Sequence, residues 1–308
     1  MKTAILFAGQ GAQHVGMGKD FYAEYLRFRQ VFDLLPEEQR RIAFEGPMEE
    51  LKKTENTQPI MLAFALGVYR VLQEHGFVPD MAAGLSLGEY SALAAAGVFD
   101  DKTAVELITF RGKQMAKASE GTDTVMSAVI GLEREAAENA CREAQSEGDV
   151  EIANYNCPGQ IVVSGTEAGV TACERNAKEL GARRCIRLEV SGPFHTSYMK
   201  PAGKALAEYF RGRTFGRMEF PVVFNCLGRE KTGAETVREL LVRQVSGSVY
   251  FEDTIRYMAE HGVTGTLEIG PGRALSGFVR KTDRSIETMN IETTEDLRKV
   301  IAWTEKQQ

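Results

Sequence analysis

The segment that most restricts this chain is Met81-Ala82-Ala83-Gly84-Leu85-Ser86-Leu87-Gly88-Glu89-Tyr90. A short apolar run leads into it, and an alanine-rich stretch ending at Ala96 leads out. Together these read as a buried strand, a tight turn at Ser86 and a helix. Glycines two positions before and after the serine remove the side chains that would hold strand and helix apart. Such a turn strains the backbone of Ser86 and pushes its hydroxyl outward at a helix start. The following N–H, on Leu87, then faces the same space and can meet a developing oxyanion, helped by the helix N-terminus. A purely structural Gly-Ser turn is the competing reading, and the five-residue pattern alone supports both.

The flanking sequence alternates in the same way. Residues 3–8 read as a strand entering the loop Gly9-Gln10-Gly11-Ala12-Gln13, followed by a helix over 18–35. Residues 60–73 are apolar nearly all round, as in a buried helix, and close at Gly76 and Pro79. Another helix covers 102–118, with Asp100 or Asp101 placed to cap it. The texture changes near Gly121. Strands at 124–132, 160–164 and 184–190 alternate with polar helices at 133–147 and 167–180, which fits a small ferredoxin-like insert. Gly192-Pro193-Phe194-His195 then opens a helix to Phe210, and strands at 222–225 and 265–269 flank a helix at 234–245. The expected class is α/β with a parallel sheet.

Composition narrows the function. The net charge of -6 over 308 residues gives no basic field for nucleic acid or an anionic membrane. Residues 60–72 are too few to span a bilayer, and Ala4-Ile5-Leu6-Phe7-Ala8 is too short for a signal segment. The cysteines Cys141, Cys157, Cys173, Cys185 and Cys226 are odd in number and form no CxxC pair. That suits a reducing compartment and offers no zinc site; the four histidines likewise lack metal-ligand spacing. A cytoplasmic protein without metal is expected.

A serine nucleophile needs a base. His195, in a loop just before a helix, suits the part better than His14, His75 or His261, which sit in polar or helix-end settings. A satisfied structural histidine is the alternative. No acidic residue of the usual hydrolase order stands out between serine and histidine, so a dyad oriented by a backbone carbonyl stands beside a triad. On the helix at 102–118 the apolar stripe is Ala104, Leu107, Ile108 and Met115. Arg111 falls on that inward face. A buried guanidinium needs a partner: an internal carboxylate, an outlet to solvent, or a substrate carboxylate that it clamps bidentately. Gly9-Gln10-Gly11 lacks the third glycine of a dinucleotide fingerprint, since His14 occupies that position. It can instead supply a second oxyanion donor.

Taken together the chain resembles the malonyl-CoA:acyl carrier protein transacylases of bacterial fatty acid synthesis and the acyltransferase domains of polyketide synthases. The matching stretches are Phe7-Ala8-Gly9-Gln10-Gly11-Ala12-Gln13, Thr57-Gln58-Pro59, Gly84-Leu85-Ser86-Leu87-Gly88-Glu89-Tyr90 and Arg111-Gly112-Lys113. They continue through Asn154-Tyr155-Asn156-Cys157-Pro158-Gly159-Gln160, Pro193-Phe194-His195 and Glu268-Ile269-Gly270-Pro271-Gly272, in the family's order.

The resemblance implies Ser86 as nucleophile, His195 as base, the N–H groups of Gln10 and Leu87 as oxyanion hole, and Arg111 as the malonyl-carboxylate clamp. It implies that a main-chain carbonyl at Gln244 orients the histidine. It also implies a hydrolase-like parallel-sheet domain of residues 1–123 and 191–308, interrupted by a ferredoxin-like insert at 124–190. Malonyl-CoA and acyl carrier protein are the expected partners, with no resident cofactor and a monomeric chain. An acidic carrier would need a basic rim, for which Arg183, Arg184, Lys200 and Lys204 are candidates. Ala8 stands where the family usually has proline, and Leu85 where a histidine commonly precedes the serine. Phe194 before His195 favours malonyl over methylmalonyl. A polyketide-pathway acyltransferase, an acyl-thioester hydrolase and an idle docking module are the other readings.

Overall fold

The run Ala4-Ile5-Leu6-Phe7 is continuous rather than alternating, which suits a strand covered on both faces. In the computed structural model, which describes residues 2–190 and 192–307, it is such a strand. In chain order the strands are β1 (Lys2–Phe7), β2 (Met81–Gly84), β3 (Thr124–Ile130), β4 (Val150–Cys157), β5 (Gln160–Thr166) and β6 (Arg184–Arg187). Then follow β7 (Val223–Phe224), β8 (Arg229–Glu230), β9 (Val249–Tyr250), β10 (Val263–Ile269) and β11 (Glu287–Ile291). The chain divides into two compact units. One holds Met1–Lys113, Thr214–Val223 and Met258–Gln308; the other holds Gln114–Arg213 and Phe224–Tyr257.

In the first unit the strands lie parallel in the order β11-β10-β1-β2. The register pairs Phe7 with both Ile269 and Gly84. Strands β1, β2 and β10 therefore end level, and the loops beginning at Ala8, Leu85 and Gly270 start side by side at the carboxyl edge. That edge is where α/β sheets collect ligands. The outer edge of β2 is covered, since Ala82 N–H donates to Pro221 O at 2.9 Å.

The helix Thr54–Glu74 packs with its face from Ile60 to Val68 wholly buried. Pro59 sits inside it and cannot donate to the Glu55 carbonyl, which takes the Gln39 side-chain amide at 3.4 Å instead. The single helix expected over 18–35 is two, Lys19–Glu24 and Leu26–Phe32, parted at an extended Tyr25. The break lets the rings of Phe21 and Phe28 stack at 5.3 Å. Strand β11 escaped sequence reading because its polar residues Glu287, Thr288 and Asn290 give no apolar run.

The second unit carries an antiparallel sheet in the order β6-β3-β5-β4, with β9 added parallel to β4. Helices Arg134–Ala144 and Glu167–Glu179 cover one face over a core that includes Val129, Cys141, Val163, Val170 and Cys173. Sequence reading placed the strands at 124–132, 160–164 and 184–190 but none at β4. Asn154 and Asn156 interrupt its apolar pattern, although both are buried. The boundary expected at residue 191 lies outside the described residues.

One buried carboxylate locks the first sheet to its neighbour helix. Glu268 on β10 has 0% exposure and accepts the N–H groups of Leu275 and Ser276, at 3.0 and 2.7 Å, at the start of helix Ala274–Thr282. Burial pushes its pKa above the usual carboxylate range, against the pull of the Ser276 and Leu275 donors. The folded state thus holds this proton more tightly than the unfolded chain. Its contribution to stability is complete below the unfolded pKa and is lost as pH rises through the folded one. Glu268→Gln turns an amide donor toward N–H donors and should cost about 1–3 kcal/mol near neutral pH, read from urea unfolding. The wild-type advantage should narrow as pH rises across that window, because the variant does not titrate there.

Candidate active site

Ser86 sits at φ 55° and ψ -106° between β2 and the helix Leu87–Ala95, whose N-cap it is. Non-glycine residues rarely adopt a positive φ, and the strain is held by close packing around it. A Cβ on Gly84 would lie 2.1 Å from the Gly88 carbonyl carbon, and one on Gly88 would lie 2.1 Å from Phe7 O. No side chain fits at either position. Leu85 N–H donates to Phe7 O at 3.0 Å, and Gly88 N–H to Leu85 O at 2.9 Å, which closes the turn. The loop after β1 presses on the same turn, since a Cβ on Gly9 would approach Leu85 O to 2.8 Å. Among the described residues no backbone acceptor takes the N–H of Gln10 or of Leu87.

Arg111 comes from the helix Asp101–Ser119, which Asp100 caps through Thr103 N–H at 2.7 Å. Its 0% exposure removes the outlet to solvent. Nη1 donates to Gln58 Oε1 at 2.6 Å and Nη2 to Ser86 Oγ at 3.2 Å. The guanidinium also lies 5.0 Å from the Tyr90 ring centroid. Burial draws its pKa downward, opposed by Tyr90 and Glu89, yet an arginine starts so high that it stays charged. Gly112 lets the helix come close, because a Cβ there would stand 3.0 Å from Thr54 O. From Gln58 the chain of bonds continues: its Nε2 donates to Thr54 Oγ1 at 3.0 Å, and Thr54 Oγ1 donates to Gln10 Oε1 at 2.9 Å.

In the second unit His195 also has a positive φ, 60°, and only 4% exposure. Its Nδ1 lies 3.0 Å from the Gln244 carbonyl oxygen. A carbonyl only accepts, so Nδ1 carries the hydrogen and Nε2 is the basic nitrogen. Gln244 lies in the last turn of helix Val237–Val245, where carbonyls have no intrahelical donor. A capping box of Thr236 and Glu239 fixes the other end of that helix. The histidine loop is tied down by Thr196 Oγ1 donating to Pro193 O at 2.6 Å and Ser197 N–H donating to Glu151 at 3.1 Å.

The first unit thus brings together Ser86, Leu87, Gln10 and Arg111, and the second brings together His195 and Gln244. Sequence reasoning did not single out Thr54, Gln58 or Tyr90 as site residues. The available signal was Thr54 and Gln58 one turn apart, both buried in the polar first turns that precede the apolar run of the same helix. Among the described residues no group of three or more His, Cys, Asp or Glu side chains is placed to hold a metal ion. No helix of the described residues is long and apolar enough to cross a membrane.

Residues 5–297 match the acyl transferase domain family. The chain is 40% identical over 301 residues to the malonyl CoA-acyl carrier protein transacylase of Bacillus subtilis, covering 96% of this chain and 95% of that one. A crystal structure of the Streptococcus pneumoniae enzyme superposes with a TM-score of 0.92 at 41% identity, over 98% of this chain and 99% of that one. A malonyl-transacylase solved in complex with a type II polyketide acyl carrier protein gives 0.93 at 38% identity, again over 98% and 99%.

The turn itself can be tested without substrate. Gly88→Ala must displace the Phe7 main chain, and should lower unfolding free energy by about 3 kcal/mol, measured by urea denaturation.

Proposed function

The chain belongs to the acyl transferase family, among the malonyl CoA-acyl carrier protein transacylases, and from that premise we propose how its residues share the reaction. The enzyme moves a malonyl group from malonyl-CoA to the phosphopantetheine thiol of an acyl carrier protein through an ester on Ser86. Nε2 of His195 takes the Ser86 proton as Oγ bonds to the thioester carbonyl carbon. The N–H groups of Gln10 and Leu87 hold the oxyanion. When the C–S bond breaks, the imidazolium returns the proton to sulfur and coenzyme A leaves as the thiol. The carrier thiol then attacks the ester by the reverse path. Neither step needs a resident cofactor.

The observation that carries this reading is Arg111, wholly buried with its Nη2 3.2 Å from Ser86 Oγ. A carboxylate one carbon beyond the reacting carbonyl can pair with that guanidinium, and an acetyl group has nothing to offer it. The Nδ1 contact with Gln244 O supports a dyad, since it fixes the tautomer that a base requires.

The finer fold belongs to the same reading: a hydrolase-like domain of residues 1–123 and 191–308 with a ferredoxin-like insert at 124–190. The β6-β3-β5-β4 order with two helices on one face supports the insert. We further read the chain as a cytoplasmic monomer serving fatty acid synthesis; a polyketide-pathway acyltransferase would use the same chemistry. Carrier docking is assigned to Arg183, Arg184, Lys200 and Lys204, all of them exposed.

Intact-protein mass spectrometry with malonyl-, methylmalonyl- and acetyl-CoA tests the core of the proposal. The wild type should carry a malonyl adduct, and Ser86→Ala none. Arg111→Ala should lower malonyl transfer about 100-fold while acetyl transfer changes little. An unchanged preference would remove the clamp. An acyl-enzyme that decays in water as fast as it transfers would make the protein a hydrolase. Charge reversal at the four basic positions should raise KM for carrier protein and leave small-thiol acceptors unaffected; an equal loss for both acceptors would refute docking there.

A further inference from the structure

Arginine can only donate hydrogen bonds, and this fixes the sense of the whole chain of contacts that starts at Arg111. Nη1 must meet an oxygen, so the Gln58 amide turns Oε1 toward it and Nε2 toward Thr54. Thr54 Oγ1 is then occupied as an acceptor, and its single proton is left for Gln10 Oε1. The result is a one-way series, Arg111 to Gln58 to Thr54 to Gln10, in which every link is between 2.6 and 3.0 Å. Such series polarise in concert, and here a buried cation stands at the head.

The far end matters because of what Gln10 has around it. Its neighbours are Gly9 and Gly11, the latter at φ 125°, so the loop has little stiffness of its own. Gly11 N–H is tethered to Gln13 Oε1 at 2.7 Å, and the Gln10 side chain is tethered by Thr54. Release of the Gln10 side chain would let the peptide that carries its N–H rotate. That N–H is one of the two groups assigned to the oxyanion.

We infer that Thr54 is a positioning residue, which couples the arginine that answers the acyl carboxylate to the loop that holds the oxyanion. The inference rests on the proposed roles of Arg111 and Gln10. It gives acyl selectivity a second source. A carboxylate that seats on Arg111 pins the head of this series, already formed without it, and with it the Gln10 N–H, so the correct acyl group is favoured in the rate of attack as well as in binding.

Thr54→Val keeps the shape and removes the hydroxyl; Thr54→Ser restores it. The readout is formation of malonyl-Ser86 by rapid-quench mass spectrometry, with malonyl-CoA and acetyl-CoA varied separately. Thr54→Val should slow acylation at saturating malonyl-CoA about 5- to 20-fold, the range expected for one lost buried hydrogen bond, with KM little changed. The malonyl-to-acetyl ratio should fall in step, and Thr54→Ser should recover most of both. In an Arg111→Ala background the effect of Thr54→Val should shrink, because the head of the series is already gone. Should Thr54→Val fold poorly by urea unfolding, Thr54→Ala reads the same ratio. A loss confined to KM, a serine variant as slow as the valine one, or full additivity with Arg111→Ala would each overturn the coupling. Absence of any malonyl adduct on wild-type Ser86 would overturn the function itself, and the coupling with it.

Discussion

The first unit depends on one contact, the main chain of Gly88 lying against the carbonyl of Phe7. It fixes the helix Leu87–Ala95 against β1 with no room for a side chain between them. That closeness forces the intervening turn and gives Ser86 its positive φ. It leaves the Leu87 N–H without a backbone partner among the described residues. Because β1 and β2 are parallel and in register through Phe7 and Gly84, the loop bearing Gln10 begins beside the same turn. The geometry of Ser86 is thus a consequence of sheet register and of two absent side chains.

A second constraint is the buried charge of Arg111. Removing a guanidinium from water is costly, and the fold offsets that cost with an amide, a hydroxyl, an aromatic face and the field of Glu89. The first three hold the group in place without neutralising it. On the proposed reading, the same contacts hold the guanidinium beside Ser86, where an anionic acyl group would arrive. His195 follows a comparable logic in its own unit, with a strained backbone held by the bonds of its loop and its tautomer set by a helix-end carbonyl.

The strand, turn and helix around Ser86 were legible from sequence because glycine spacing states a steric demand directly. The inward face of Arg111 followed from helical period, and the capping role of Asp100 from residue type. Other parts were not legible. Strand β4 carries Asn154 and Asn156 at buried positions, and β11 carries no apolar run, so neither shows the periodicity of a strand. The break at Tyr25 follows from aromatic packing that only tertiary structure supplies. The role of Thr54 depends on residues 44 and 4 positions away along the chain, and a threonine among the polar residues that begin a helix gives no hint of the former.

The positive φ of Ser86 also bears on which neighbours in sequence space this serine can reach. A threonine would preserve the hydroxyl, yet its branched Cβ is poorly tolerated in that backbone region. Cysteine, with different chemistry at the terminal atom, has the same unbranched Cβ and meets no such barrier. For this turn the substitution that looks most conservative on paper is the sterically closed one. Any drift of the proposed attacking group would therefore run toward sulfur before it ran toward a secondary alcohol.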